Sequence, residues 1–145
     1  MDFMSALDIG ASGLSAERAN INIISMNLAN AKTTRTPEGG PYRRKSVIFA
    51  ESDVDKPFSA IMQDALGREL KGVRVLGVAT DTRPLKRVHE PGHPDANAQG
   101  YVFYPDINVV EEMTNLMTAT RTYEAGVASL NTVKSMYQKA LSLGM

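Results

Sequence analysis

Residues 108–143 read NVVEEMTNLMTATRTYEAGVASLNTVKSMYQKALSL, with no proline and few charges. Val109, Leu116, Tyr123, Leu130 and Tyr137 recur every seven residues, and Met113, Val127 and Leu141 each follow one of them by four. That spacing lines one seam of an α-helix packing at a shallow angle against another. Asn108 followed by Glu111 reads as an N-cap with its capping-box acid, and Glu111-Glu112 suits the positive end of the helix dipole. Gly144 marks a stop. A helix over 108–142 is about 50 Å long, too long for the core of a domain this small.

Working outward, a second seam lies at the opposite end. Leu7, Leu14, Ile21 and Leu28 repeat at seven, with Phe3, Ala11 and Ile24 on the same side. The pattern predicts a helix over 5–30, opened by a Ser5/Asp8 capping box. Gly10 and Gly13 each cost it about 1 kcal/mol relative to Ala. They are either simply tolerated or permit close backbone approach. Asn20, Asn27 and Asn30 share one side of this helix. Asn is a poor helix former, so the line suggests interhelix hydrogen bonds; exposed polar positions with Asn30 as a C-terminal cap are the alternative.

Between the seams the character changes. All seven prolines fall within 37–105, so long helices are confined to the ends. Residues 32–106 carry 22 charged side chains in 75 positions, against 10 in the 70 positions outside. Helices so poor in charge want partners. Ser46–Ala50 and Val73–Val78 are strand candidates, the second alternating with period two; Pro84–Val88 and Tyr101–Tyr104 are weaker ones. Gly39-Gly40-Pro41 and Glu90–Pro94 are turns. Residues 51–71 give no clear signal. The expected class is α+β: long N- and C-terminal helices pairing as a coiled coil, with a small β-rich segment inserted between them. The division is 1–31, 32–106 and 107–145.

Composition excludes several functions. The 16 basic and 16 acidic residues cancel, removing the charge surplus that nucleic-acid binding needs. Without Cys there is no disulfide, thiolate zinc site or Cys nucleophile. Met1-Asp2-Phe3-Met4 puts an acid where a signal peptide has its basic start, and no apolar run reaches the ~20 residues that span a bilayer. Phosphate-loop, dinucleotide, metalloprotease and nucleophile-elbow motifs are missing. His89 and His93 lie near Glu90 and Asp95, but Pro91, Gly92 and Pro94 forbid the helix that would align the imidazoles, so a structured turn is expected and no metal. Arg43-Arg44-Lys45 reads as a solvated strand edge. We expect no catalytic residue, no cofactor and no metal.

Ala11-Ser12-Gly13-Leu14 with Ala16 and Arg18, then Asn27-Leu28-Ala29-Asn30 before Thr33-Thr34, resembles the N-terminal signature of the bacterial flagellar axial proteins. These build the rod, hook and hook–filament junction. Asn108–Met113, followed by Ala119, Arg121, Tyr123-Glu124-Ala125 and 134–143, resembles their C-terminal signature. Pro41–Lys45, Pro91–Ala96 and Gly100–Val102, with the short length, resemble the proximal-rod members; His89 stands where Tyr is expected.

The resemblance implies a structural subunit of the basal-body rod, the drive shaft between rotor and hook. It implies export through the flagellar type III apparatus without signal cleavage, and assembly in the periplasm. Its partners would be copies of itself, other rod proteins, and the rotor ring and export apparatus at the rod base, in a hetero-oligomeric helical assembly. The assembly seam would be Leu7, Leu14, Ile21 and Leu28 with Val109, Met113, Leu116, Tyr123, Val127, Leu130, Tyr137 and Leu141. Another short rod protein is the nearest alternative. A cytoplasmic coiled-coil adaptor, helical as an isolated dimer, is the alternative from another class.

Overall fold

The computed structural model of the chain describes residues 3–53 and 71–143. Their order is α1 (Phe3–Ala29), β1 (Lys45–Asp53), β2 (Lys71–Thr80), β3 (Lys86–His89), β4 (Tyr101–Tyr104) and α2 (Val109–Leu143). The expected α+β class is the one adopted. Most of the signal-free stretch 51–71, and Gly144, lie outside the described residues.

Both helices fall where the seams predicted them, with one correction. α1 already includes Phe3, so Ser5 sits inside the helix rather than capping it. At that end the Phe3 ring stacks on Tyr137 at 3.9 Å and 10°. At the other end Asn108 caps α2 as expected, its Oδ1 accepting the N–H groups of Val110 at 3.1 Å and Glu111 at 3.5 Å.

The two helices run antiparallel. Phe3 meets Tyr137, Leu130 lies over Gly10, Leu14 lies over Gly126, and Asn27 meets Glu112. A Cβ built on Gly10 would collide with the Leu130 side chain, and one on Gly126 would stand 2.8 Å from Leu14 Cδ2. Gly10 therefore serves close approach. Gly13 has open space around it.

The face α2 turns inward is shifted from the one the heptads suggested. Leu116, Tyr123, Val127 and Leu130 are half-buried, and the row Glu112, Ala119, Gly126 and Val133 flanks them. Met113 and Leu141, expected beside them, are each 54% exposed, and Val109 is exposed too. The physical reason is size. Ala119 and Gly126 let α1 approach where methionine would hold it off.

The middle forms two separate two-stranded ribbons. β1 and β2 pair antiparallel from Lys45↔Thr80 to Asp53↔Lys71, and the register slips between Ile48↔Gly77 and Phe49↔Val75. Leu76 is the extra residue of this β-bulge and is 64% exposed. A lone two-stranded ribbon is marginal in water. This one leans on α1, where Ser12 Oγ accepts the Val73 N–H at 3.1 Å and donates to Ile9 O at 2.7 Å. The alternation read from β2 gives a strand with the opposite burial: Gly72, Gly77 and Ala79 are the sheltered residues, while Val73, Val75 and Val78 face outward.

β3 and β4 pair from Lys86↔Tyr104 to His89↔Tyr101, and Val102 of β4 is buried. Arg43 and Arg83 knit the loops together. Arg43 donates to Asp81 O and Arg83 O, while the Arg83 side chain pairs with Asp81 at 2.6 Å and Asp106 at 3.6 Å. The Arg83 backbone N–H, donating to Asp81 Oδ1 at 2.9 Å, and next the Arg83 side chain hold the Asp81 carboxyl below the usual carboxylate value.

Candidate functional site

Where α1, β1 and α2 converge, the chain buries a polar node. Asn27 is 0% exposed and Glu112 1%. The Asn27 carboxamide uses all its hydrogen-bonding capacity. Its Oδ1 accepts the Lys45 N–H at 2.9 Å and the Tyr42 hydroxyl at 3.0 Å; its Nδ2 donates to Lys45 O at 2.8 Å and Glu112 Oε2 at 3.0 Å. Toward Lys45 the side chain thus mimics a neighbouring strand, taking both backbone groups of one residue.

The other Glu112 oxygen, Oε1, accepts from the Arg44 guanidinium through Nε at 2.7 Å and through its terminal nitrogen at 2.7 Å. A buried carboxylate is tolerable only when paired and fully hydrogen-bonded, and this one is both. Burial, and second the Glu112 charge, push the Tyr42 phenol above its ordinary pKa, so the hydroxyl stays a donor.

Of the polar contacts expected from the asparagines, Asn27 bridges the helices. Asn30 Nδ2 instead donates to Met26 O of its own helix, and its Oδ1 accepts from Thr33, which finishes α1 as a cap. Asn20 lines a groove of about 220 Å³ with Glu17, Arg44 and Asn115. Arg44 is no solvated strand edge, and Glu112 does more than complement a helix dipole. Both escaped the sequence reading because each has a common exposed role. The available signal was an acid at 112 seven residues before Ala119, in the row that faces α1.

The far half of the helix pair differs in kind. Phe3, Leu7, Leu130, Tyr137 and Leu141 line an open apolar groove of about 480 Å³ with Asn131, Lys134 and Gln138 at its rim. Across the molecule the pattern repeats. The buried residues are few, Ala16, Ile24, Tyr42, Val102, Ile107 and Ala119 with Asn27 and Glu112, while Val110, Met113, Met117, Met136 and the ribbon residues Ile48, Phe49 and Leu76 stay exposed.

The histidine segment is a turn built of its own polar groups. His93 Nδ1 accepts the Asp95 N–H at 3.1 Å, Thr34 donates to Asp95 Oδ2 at 2.7 Å, and Tyr104 donates to Glu90 at 2.9 Å. Gly100 closes it with φ +78°, a conformation that favours glycine. Among the described residues no three His, Asp or Glu side chains converge as metal ligands, and no helix is long and apolar enough to cross a membrane.

Two exposed-faced helices at the chain ends, tied by one node to a small β segment, fit the flagellar rod proteins. Residues 7–35 match the sequence model of the family described as Flagella basal body rod protein, and residues 98–143 that of Flagellar basal body rod FlgEFG protein C-terminal. The first match includes Asn27 and the second Glu112. The chain is 43% identical over 144 residues to the flagellar basal-body rod protein FlgC of Salmonella typhimurium, covering 99% of each chain. It is 41% identical over 150 residues to that of Borreliella burgdorferi, covering 99% of this chain and 98% of the relative. With that of Bacillus subtilis it shares 38% over 151 residues, 99% of each. The chain belongs to the FlgC family of flagellar basal-body rod proteins.

Proposed function

We propose that this rod subunit works by burying, between neighbours, the apolar faces it does not bury within itself. The observation that carries the reading is the set of large apolar side chains left exposed on both helices and ribbon. Gly10 and Gly126 let Leu130 and Leu14 close the helix pair, while Met113, Met117, Val110 and Leu76 stay exposed. Methionine suits contacts with several nonidentical partners because its thioether adapts to irregular surfaces. The partners are copies of the chain, other rod proteins, and the rotor ring and export apparatus at the rod base. Unlike surfaces meeting head to tail give an assembly that extends helically.

Residues 1–31 and 107–145 form the rod wall and residues 32–106 its outer segment. Close-packed helices in such a wall resist twist, which is what a drive shaft requires. The chain has no catalytic task. It leaves the cytoplasm through the flagellar type III apparatus and assembles in the periplasm with its N-terminus retained; the stacking of Phe3 on Tyr137 gives that end a structural use.

The test is the double variant Met113→Asp/Met117→Asp. These side chains are 54% and 58% exposed, so the isolated chain should keep its stability within about 0.5 kcal/mol. Cells carrying it should lose motility and yield basal bodies without a complete rod. Normal motility would refute this placement of the assembly surface.

A further inference from the structure

Every methionine among the described residues, Met4, Met26, Met113, Met117 and Met136, is exposed. Two of them make a pair. Met113 and Met117 stand one turn apart on α2, in line with the exposed Val110. The helix that carries them is held fast. Glu112 and Ala119, in the same turns, are buried, and Glu112 is bound to Asn27 and Arg44. The two thioethers are therefore presented to solvent from a fixed stretch of backbone.

We propose that Met113 and Met117 form an oxidation-sensitive site: a peroxide that converts their thioethers to sulfoxides, before the subunit joins its neighbours, removes the subunit from assembly without unfolding it.

In the chemical step the sulfur attacks one oxygen of hydrogen peroxide. An S–O bond forms, the O–O bond breaks, and the proton of the transferred oxygen passes to the departing hydroxide, which leaves as water. Sulfur is oxidised by two electrons and the peroxide is reduced by two. The product exchanges a soft apolar group for a polar S=O that accepts hydrogen bonds. In the free subunit water satisfies that oxygen. Under a neighbour it needs a donor, and this face of α2 has few. The residues one turn to either side of Met113 are Val109, Val110, Leu116 and Met117, and none carries a side-chain donor. Beside Met117 the Thr114 and Thr120 hydroxyls already donate to Val110 O at 2.9 Å and Leu116 O at 2.8 Å, which leaves Arg121. Burying an acceptor without a partner weakens the contact by ~10-fold or more. Once covered, the same sulfurs are out of reach of the oxidant, so the site is sensitive only until the subunit is built in.

The inference rests on the rod-subunit reading for what covers the pair. Hydrogen peroxide is the probe, and peptide mass spectrometry reads the sulfoxide at each site. Met113 and Met117 should oxidise in the isolated full-length chain ~10-fold or more faster than in purified basal bodies. Met113→Gln/Met117→Gln sets a polar carbonyl near the place of each sulfoxide oxygen. Its unfolding equilibrium constant in urea should stay within ~3-fold of wild type, because both positions are exposed. Cells carrying it should yield ~10-fold fewer complete rods. Equal oxidation rates in free chain and basal bodies would overturn the proposal, and so would loss of stability in the glutamine variant. Normal rods with the glutamine variant but not with Met113→Asp/Met117→Asp would refute the oxidation site and leave the assembly surface standing. Normal rods with both would refute the surface as well.

Discussion

The carboxamide of Asn27 spends two hydrogen bonds on the Lys45 backbone, one on Tyr42 and one on Glu112, all away from water. Asn27→Ala orphans several of these groups at once. Each buried unsatisfied group costs about 1–3 kcal/mol, so the variant should lose about 3 kcal/mol or more, measured by urea denaturation. Tyr42 adds a pH dependence. Its phenol is held above the usual value of 10.0 in the folded chain, so the unfolded chain gives up the proton first. The contribution is complete below about pH 10 and is lost as pH rises through the raised folded value. Denaturation midpoints from pH 8 upward should therefore fall above pH 10, and Tyr42→Phe should flatten the fall while lowering stability at neutral pH. None of this was legible beyond the suspicion attached to Asn27. A lone Glu in the first turn of a helix and a lone Arg in a basic run carry the same letters whether paired in the interior or loose in solvent.

At the scale of elements the sequence spoke more clearly, because period and punctuation are local properties. Confining proline to 37–105 located both helices, and Asn108 located the start of α2. The ribbons were visible in outline, yet β1 and β2 extend to Asp53 and Lys71 because pairing with each other adds what propensity alone did not show. The helix face was misplaced for a definite reason. A seven-residue repeat of large apolar side chains marks a surface that wants burial, but not which partner buries it. Here small residues made the intramolecular partner, and Met113 was left outside. Leu14 and Leu130 test the intramolecular side. Truncating a buried leucine costs roughly 2–5 kcal/mol, and these half-buried ones sit below that, but aspartate at either place sets a charge against a glycine-floored apolar contact. Leu14→Asp and Leu130→Asp should leave the β ribbons intact by exchange and give soluble protein that fails to enter the rod, scored by basal-body recovery. Ser135→Asp, on an exposed position, should be much milder.

For the molecule as a whole, the exposed apolar residues are too many and too evenly spread to belong to a chain that works alone. Their placement on helix and ribbon alike suits the proposal that neighbouring subunits cover them. Retention of the N-terminus belongs to this scale. Intact mass of the protein taken from purified basal bodies should match a chain that still contains Phe3; loss of the first tens of residues would remove the Tyr137 stack and the Gly10 contact and would contradict the assembly proposed here.

The antiparallel course of α1 and α2 also sets a clock. Phe3, among the first residues synthesised, finds its ring partner at Tyr137, among the last. The contacts of Gly10 with Leu130 and of Leu14 with Gly126 have the same nested order. Were such a chain exported as proposed above, N-terminus leading, it could not complete the helix pair while the end of α2 was still inside. The Asn27–Glu112 contact at the start of α2 would come first and the Phe3–Tyr137 stack last. Contacts distant in sequence form late because loop-closure entropy precedes their reward. Under the export route proposed above, sequence order would therefore delay completion of the helix pair until the chain is released.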